Sequence, residues 1–218
     1  MENALSNRLN TVNELLDAKI ISILRHVPDS HLLDVVGVLI ESGIRAIEVT
    51  LNSKNAIYHI EEIARVYGNS VLLGAGTVTN GQDVVDAYNA GARYILTPYV
   101  AESVVVSSQS KEMPVIMGAM TPTEVANSKA MGADLIKIFP AERLGSGYIK
   151  DILAPLDDIK IFVVGGINSS NAKEYLDAGA VGIGVGGNLV DNRMFLTENW
   201  KEMLSNKAQA FEWLKREG

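Results

Sequence analysis

The chain has 218 residues, 47% of them hydrophobic and 21% charged, enough apolar material for one sizeable core and inconsistent with intrinsic disorder. Its 26 acidic and 19 basic side chains give a net charge of -7 with no concentrated run of Lys and Arg, which excludes a nucleic-acid or anionic-membrane surface. Cysteine is absent, removing disulfides and thiolate metal sites and fitting a reducing compartment, with the cytoplasm as the expected location.

The opening residues Met1–Arg8 lack the basic start and apolar stretch of a secretory signal. No apolar run approaches the roughly 20 residues that span a bilayer, so a soluble protein with no membrane partner is expected. Asn3–Ala18 reads as a helix. Thereafter one unit repeats to the end: a short β-branched run followed by an amphipathic stretch with helical spacing. The runs are Ile20–Leu24, Ala46–Leu51, Val71–Gly74, Tyr94–Thr97, Val115–Gly118, Leu135–Phe139, Ile161–Val164 and Val181–Val185. Helical stretches between them include Ser30–Ser42, Lys54–Tyr67, Gln82–Ala90, Thr123–Met131, Tyr148–Leu156 and Asn171–Ala178, with Trp200–Arg216 as the last. Several stop at a glycine before the next strand, at Gly43, Gly91, Gly132 and Gly179, the usual C-terminal stop before a tight turn.

Eight such units predict an α/β fold, a closed (β/α)8 TIM barrel, as a single domain over residues 1–218 with the N-terminal helix closing its bottom. An open doubly wound sheet is the competing architecture. It usually has fewer strands and a nucleotide-binding glycine turn after the first, which Ile20–Arg25 does not supply.

In a barrel the chemistry collects at the C-terminal ends of the strands. That rule selects Arg25, Glu48, Thr50, Asn52, Thr77, Thr97, Thr121, Lys137 and the pairs Gly165-Gly166 and Gly186-Gly187. Lys137 is the most informative of these. Alternation puts Ile136 and Ile138 on one face and Leu135, Lys137 and Phe139 on the other. A lysine inside an apolar strand either snorkels to water or has a chemical task. In a dry pocket the amine loses its preference for the ammonium form, and a neutral amine can attack a carbonyl to form a Schiff base. Within Ala46–Leu51, Glu48 points inward with Ala46 and Thr50 while Ile47, Val49 and Leu51 face the helices. Two readings stand for it: a structural ion pair across the barrel, or a proton shuttle whose pKa burial raises and a nearby ammonium lowers.

The glycine pairs follow the seventh and eighth runs, where barrels commonly bind phosphate through backbone N–H groups. Arg25 can add a charged contact to the same anion or form a surface ion pair. The three histidines show no ligand spacing, so no metal site is expected and each reads as a surface residue.

Together, Ile47-Glu-Val-Thr50, Gly74-Ala-Gly-Thr-Val78, Ile136-Lys-Ile-Phe-Pro-Ala141 and Val164-Gly-Gly-Ile167 resemble the 2-keto-3-deoxy-6-phosphogluconate (KDPG) aldolase family, also called KDPG/KHG aldolases, over nearly the whole chain. The resemblance implies that Lys137 forms a Schiff base with pyruvate, Glu48 moves protons, Thr77 seats the substrate carboxylate and Phe139 packs on the pyruvyl group. It implies a phosphate cradle of Gly165, Gly166, Gly186 and Gly187, with Arg25, Asn52, Pro98 and Asn188 completing the substrate-binding set. It further implies no cofactor, a homotrimer, and reversible cleavage of a phosphorylated keto acid, a 2-keto-3-deoxy-6-phospho sugar acid, to pyruvate and glyceraldehyde 3-phosphate.

The chain departs from many family members at four places. They carry arginine where Asn52 stands, serine where Asn188 stands, Pro-Gly where Met117-Gly118 stands and Pro-Thr where Val163-Val164 stands. A threonine at position 164 can hydrogen-bond a substrate hydroxyl and a valine cannot. With Leu51-Asn-Ser53, this looks more like the branch acting on 2-keto-3-deoxy-6-phosphogalactonate, so the C4 configuration stays open, as does the shorter 4-hydroxy-2-oxoglutarate. Two rival readings are a phosphate-binding barrel isomerase or epimerase, which needs a second acid/base group, and a non-catalytic ligand-binding barrel.

Overall fold

A computed structural model describing residues 2–215 shows eight parallel strands closed into a barrel. They are β1 (Ile20–Leu24), β2 (Ala46–Thr50), β3 (Leu72–Gly76), β4 (Tyr94–Leu96), β5 (Val115–Ala119), β6 (Leu135–Ile138), β7 (Ile161–Val164) and β8 (Gly182–Val185). Sequential strands are neighbours, and β8 closes the ring by pairing Ile183 with Ile20 and Gly184 with Ile21. Helices α1 (Glu2–Ala18), α2 (Leu32–Glu41), α3 (Ala56–Tyr67), α4 (Gly81–Asn89) and α5 (Glu102–Ser110) occupy the first half of the chain. In the second half lie α6 (Pro122–Ala130), α7 (Ala141–Leu144), α8 (Ser146–Leu153), α9 (Ala172–Asp177) and α10 (Trp200–Gln209).

Alternation along the strands produces two separate cores. Helix-facing residues such as Ile47, Val49, Ile136 and Ile138 join the shell between barrel and helices. Inward-facing Ile21, Ala46, Leu72, Tyr94, Ile116, Leu135 and Phe162 pack with Val12 and Leu15 of α1 in the lower barrel. Two glycines make that inner packing fit. A Cβ on Gly74 would lie 2.4 Å from the Tyr94 ring, and one on Gly182 would lie 2.4 Å from the Phe162 ring. Arg8 of α1 fixes the helix across the barrel bottom by a two-pronged pair with Asp134, both N···O distances being 2.8 Å.

Helix stops follow the glycine rule: Gly43, Gly91, Gly132 and Gly179 have φ of 81°, 103°, 93° and 105°, a region open to glycine at no steric penalty. Several elements depart from expectation, among them three that follow. Ser30–Ser42 divides into a 3₁₀ turn, Asp29–His31, and α2. The last strand-forming residue of β6 is Ile138, so Phe139 leaves the barrel and is 40% exposed. The expected helix Trp200–Arg216 breaks after Gln209 and resumes as a 3₁₀ turn, Glu212–Lys215, while Arg216 lies outside the described residues.

Candidate active site

Register sets the two ionisable groups in the upper barrel. Glu48 lies beside Ile23 of β1 and Gly74 of β3, and Lys137 lies between Gly118 of β5 and Phe162 of β7. Their exposures are 2% and 6%. Gly76 leaves room for the Glu48 side chain: a Cβ there would lie 1.6 Å from Glu48 Oε1. Glu48 Oε2 is buried with no hydrogen-bond partner among the described residues. A buried carboxyl oxygen left open in this way is costly unless a ligand engages it.

The electrostatics push the two groups toward each other. Burial drives the Glu48 carboxyl up, against the opposing pull of Lys137 and Arg25. Burial drives the Lys137 amine down, opposed by Glu48 and assisted by Arg25. Desolvation therefore favours the neutral form of both, an amine able to attack and a carboxyl able to donate. The Lys137 Nζ also lies 5.4 Å from the centre of the Phe139 ring.

Above them is a cavity of about 290 Å³ lined by Ile23, Arg25, Phe139, Val164, Gly165, Gly166, Ile167, Gly186, Gly187 and Asn188. Seven sequence-selected residues thus meet at one mouth. Gly165 and Gly166 have φ of 96° and 79°, and added Cβ atoms would lie 3.1 Å from Phe139 and 2.3 Å from Glu142. Both need to be glycine for the backbone alone. Gly187 is different, because its φ is not left-handed and a Cβ would meet nothing within 4 Å. Its missing side chain answers no packing demand of the chain and leaves open space at the mouth. The Asn188 side chain donates to Ile167 O at 2.9 Å, tying the two glycine turns together. Among the described residues, the N–H groups of Gly166, Gly187 and Asn188 meet no acceptor and no acidic group pairs with Arg25. Open N–H groups and an arginine at one mouth are groups able to receive an anion.

The remaining candidates are more scattered. Thr77 follows β3 with φ of 56°, rare for a β-branched residue, and the next residue is fastened by Val78 N–H to Leu96 O at 3.1 Å. Pro98 follows β4, half-buried, and crowds Gly118 so closely that a Cβ there would lie 2.5 Å from its carbonyl carbon. Thr97 braces the same corner, accepting from Gly118 N–H at 2.9 Å. Asn52 stands exposed on the loop after β2, outside the residues that line the cavity. No group of three or more His, Asp or Glu among the described residues comes together to hold a metal ion.

The histidine expectation needs correction. His26 is exposed, but His31 is half-buried, with its ring 4.8 Å from Phe195 and 5.3 Å from Trp200. His59 is 2% exposed, on the inner face of α3 with Ala56, Ile60 and Ile63, and its Nε2 is 2.6 Å from Asp29 Oδ1. Helical spacing carried that signal, because position 59 falls three after 56 and four before 63. Sequence reasoning also passed over the fastening of the loop after β1, where Asn192 Nδ2 donates to Arg25 O at 3.0 Å and His26 N–H donates to Ser53 Oγ at 2.9 Å.

Comparison with known proteins now adds to this geometry. A family model described as KDPG and KHG aldolase matches residues 12–205. The chain is 36% identical over 171 residues to the 2-dehydro-3-deoxy-6-phosphogalactonate aldolase of Escherichia coli strain K12, covering 78% of this chain and 83% of that relative. Among solved structures, one described as native KDPGal superposes with a TM-score of 0.84 at 34% identity, covering 91% of this chain and 94% of the other. A KDPG aldolase from Legionella pneumophila, with pyruvate captured at low pH as a covalent carbinolamine, gives a TM-score of 0.82 at 28% identity over 89% and 95% of the two chains.

Proposed function

The chain belongs to the KDPG and KHG aldolase family and is a class I aldolase, a carbon–carbon lyase, and from that premise we propose that it cleaves a 2-keto-3-deoxy-6-phospho sugar acid with Lys137 as the imine-forming residue. The observation that carries this reading is the inward pair Glu48 and Lys137, desolvated toward their neutral forms beneath a glycine-lined mouth.

In the cleavage direction the Lys137 amine attacks the C2 carbonyl, and Glu48 delivers a proton to the resulting alkoxide and takes one from the attacking nitrogen, which gives the neutral carbinolamine and restores the Glu48 carboxyl group. Loss of water, with Glu48 as proton donor, gives the iminium. The Glu48 carboxylate then takes the proton of the C4 hydroxyl, the C3–C4 bond breaks, and its electron pair flows into the iminium to form an enamine as glyceraldehyde 3-phosphate departs. Protonation of the enamine at C3 and hydrolysis of the imine release pyruvate and restore the amine.

Other residues fit around this core. Thr77 seats the carboxylate, Phe139 covers the pyruvyl carbons, and Gly165, Gly166, Gly186, Gly187 and Asn188 with Arg25 receive the phosphate. Pro98 borders the carboxylate corner, and Asn52 approaches the substrate from the loop after β2. Val164 lines the cavity and has no hydrogen-bonding group for a C4 hydroxyl, which together with the E. coli relative favours the galactonate epimer. Assembly as a homotrimer and a cytoplasmic location complete the reading. A coupled pyruvate-release assay on both phosphorylated C4 epimers and 4-hydroxy-2-oxoglutarate tests it, with release fastest from the galactonate epimer as the expected result. Conversion of a sugar phosphate without pyruvate release refutes it.

A further inference from the structure

The loop leaving β1 carries Arg25 to the cavity mouth, and it is fastened by side chains from the loops after β2 and β8 and from helix α3. Asn192, in the 3₁₀ turn after β8, donates to the Arg25 carbonyl at 3.0 Å. Ser53, after β2, accepts the His26 N–H at 2.9 Å and is itself bonded to the Thr50 hydroxyl at 2.9 Å, whose oxygen also reaches Leu24 O at 3.3 Å. Four residues on from Arg25, the Asp29 carboxylate takes His59 Nε2 at 2.6 Å on one oxygen and Asn55 Nδ2 at 2.9 Å on the other.

The fastening is more than loop closure needs. His26 and Asn55 both sit at left-handed φ, 55° and 57°, conformations that persist only where the surroundings hold them. His59 is a polar ring buried on an otherwise apolar helix face, and its one hydrogen-bond partner among the described residues is on this loop. The segment so held begins with an arginine that has no ion-pair partner among the described residues and lines the same cavity as Gly186 and Gly187. A guanidinium on a loose loop spends entropy to reach an anion, and one on a clamped loop does not.

We propose that Asn192, Ser53 and the Asp29–His59 pair are positioning residues that hold Arg25 against the phosphate group of the substrate. The proposal rests on the phosphorylated-substrate reading above. It gives a specific pattern: losing a fastener weakens recognition of the phosphorylated end and leaves the bond-breaking chemistry alone.

The test compares wild type with Asn192→Ala, His59→Phe and His59→Gln. Removing one fastening hydrogen bond is expected to raise KM for the phosphorylated keto acid by about threefold to tenfold with kcat within about twofold. KM for 4-hydroxy-2-oxoglutarate, which has no phosphate, stays unchanged. His59→Gln keeps a donor toward Asp29 and recovers most of the loss seen in His59→Phe. Asn192 is on the surface, so its variant stays informative should His59→Phe fail to fold. Wild-type KM in Asn192→Ala, or an equal fall in kcat for both substrates, overturns the proposal. Titration with inorganic phosphate followed by ³¹P NMR separates this outcome from failure of the functional reading. If wild type releases no pyruvate but binds phosphate several-fold more tightly than Asn192→Ala, the aldolase reading falls and the fastening stands. If wild type binds no phosphate, the fastening proposal falls.

Discussion

Gly76 and Glu48 occupy one space: a Cβ on the glycine would stand 1.6 Å from the carboxyl oxygen Oε1, although Gly76 has an ordinary backbone that any residue adopts. Gly76→Ala therefore acts by displacing the carboxyl group. Expected is a loss of about 10²-fold or more in kcat, on the scale of a misplaced general acid/base. Overpacking should also remove about 1–3 kcal/mol of stability by denaturant titration. Near-wild-type turnover would mean that Glu48 has no part in proton transfer.

Borohydride reduction in the presence of pyruvate is expected to add one pyruvate-derived group to the peptide containing Lys137. Lys137→Arg, which keeps the charge but cannot form an imine, should take up none. Mass spectrometry of the digested protein decides this, and an adduct on another lysine would refute the assignment.

The pH dependence has a definite sign. Glu48 raises the Lys137 amine and Arg25 lowers it. Glu48→Gln should therefore shift the pH midpoint of borohydride trapping down, and Arg25→Gln should shift it up. Shifts in the same direction would show that the through-space account is wrong. Stability supplies a second check. Glu48 has a raised folded pKa, so between its unfolded value, about 4.3, and its folded one the native state holds a proton that the unfolded chain has released. Its contribution is fully present below the unfolded value and is lost as pH rises through the folded one. The stability advantage of Glu48→Gln, by urea melts, should grow across that window.

Gly187→Ala separates ligand space from folding. With nothing within 4 Å and no left-handed φ, the change should leave stability within about 0.5 kcal/mol. KM for the phosphorylated substrate should rise at least several-fold as the methyl group enters the mouth. Unchanged KM would place the phosphate elsewhere.

Thr77→Gly should relieve the left-handed strain, which costs a β-branched residue roughly 1–2 kcal/mol, while losing the hydroxyl. A melting temperature at or above wild type combined with a clear fall in kcat/KM is expected. A destabilised variant would show that the Thr77 contacts outweigh its backbone.

Barrel closure and the inward direction of Glu48 and Lys137 were legible because strand alternation is a two-residue period that burial enforces. What escaped was decided by tertiary packing. Glu102–Ser110, a helix absent from the sequence reading, is rich in valine and serine, weak helix formers, and is held by Val104, Val105 and Ser108 buried against its neighbours. His59 read as surface because histidine is usually only partly buried, and its partner Asp29 comes from a different loop. Three donors that fasten the Arg25 loop are asparagine or histidine side chains, which sequence alone cannot distinguish from ordinary turn and surface residues. The cavity mouth was legible in kind, from two glycine turns on the seventh and eighth strands, but the different reasons for its glycines appear only when each is given a Cβ.

Tyr94 and Phe162, wedged over their glycines, plug the barrel below the Glu48–Lys137 level. A reactant held there has one doorway, and traffic through it is ordered. Under the proposed chemistry the aldehyde half, lying outermost with its phosphate at the mouth, has to leave first. The tethered three-carbon half stays at the blind end until water follows it in, so in the reverse direction pyruvate must load before any aldehyde.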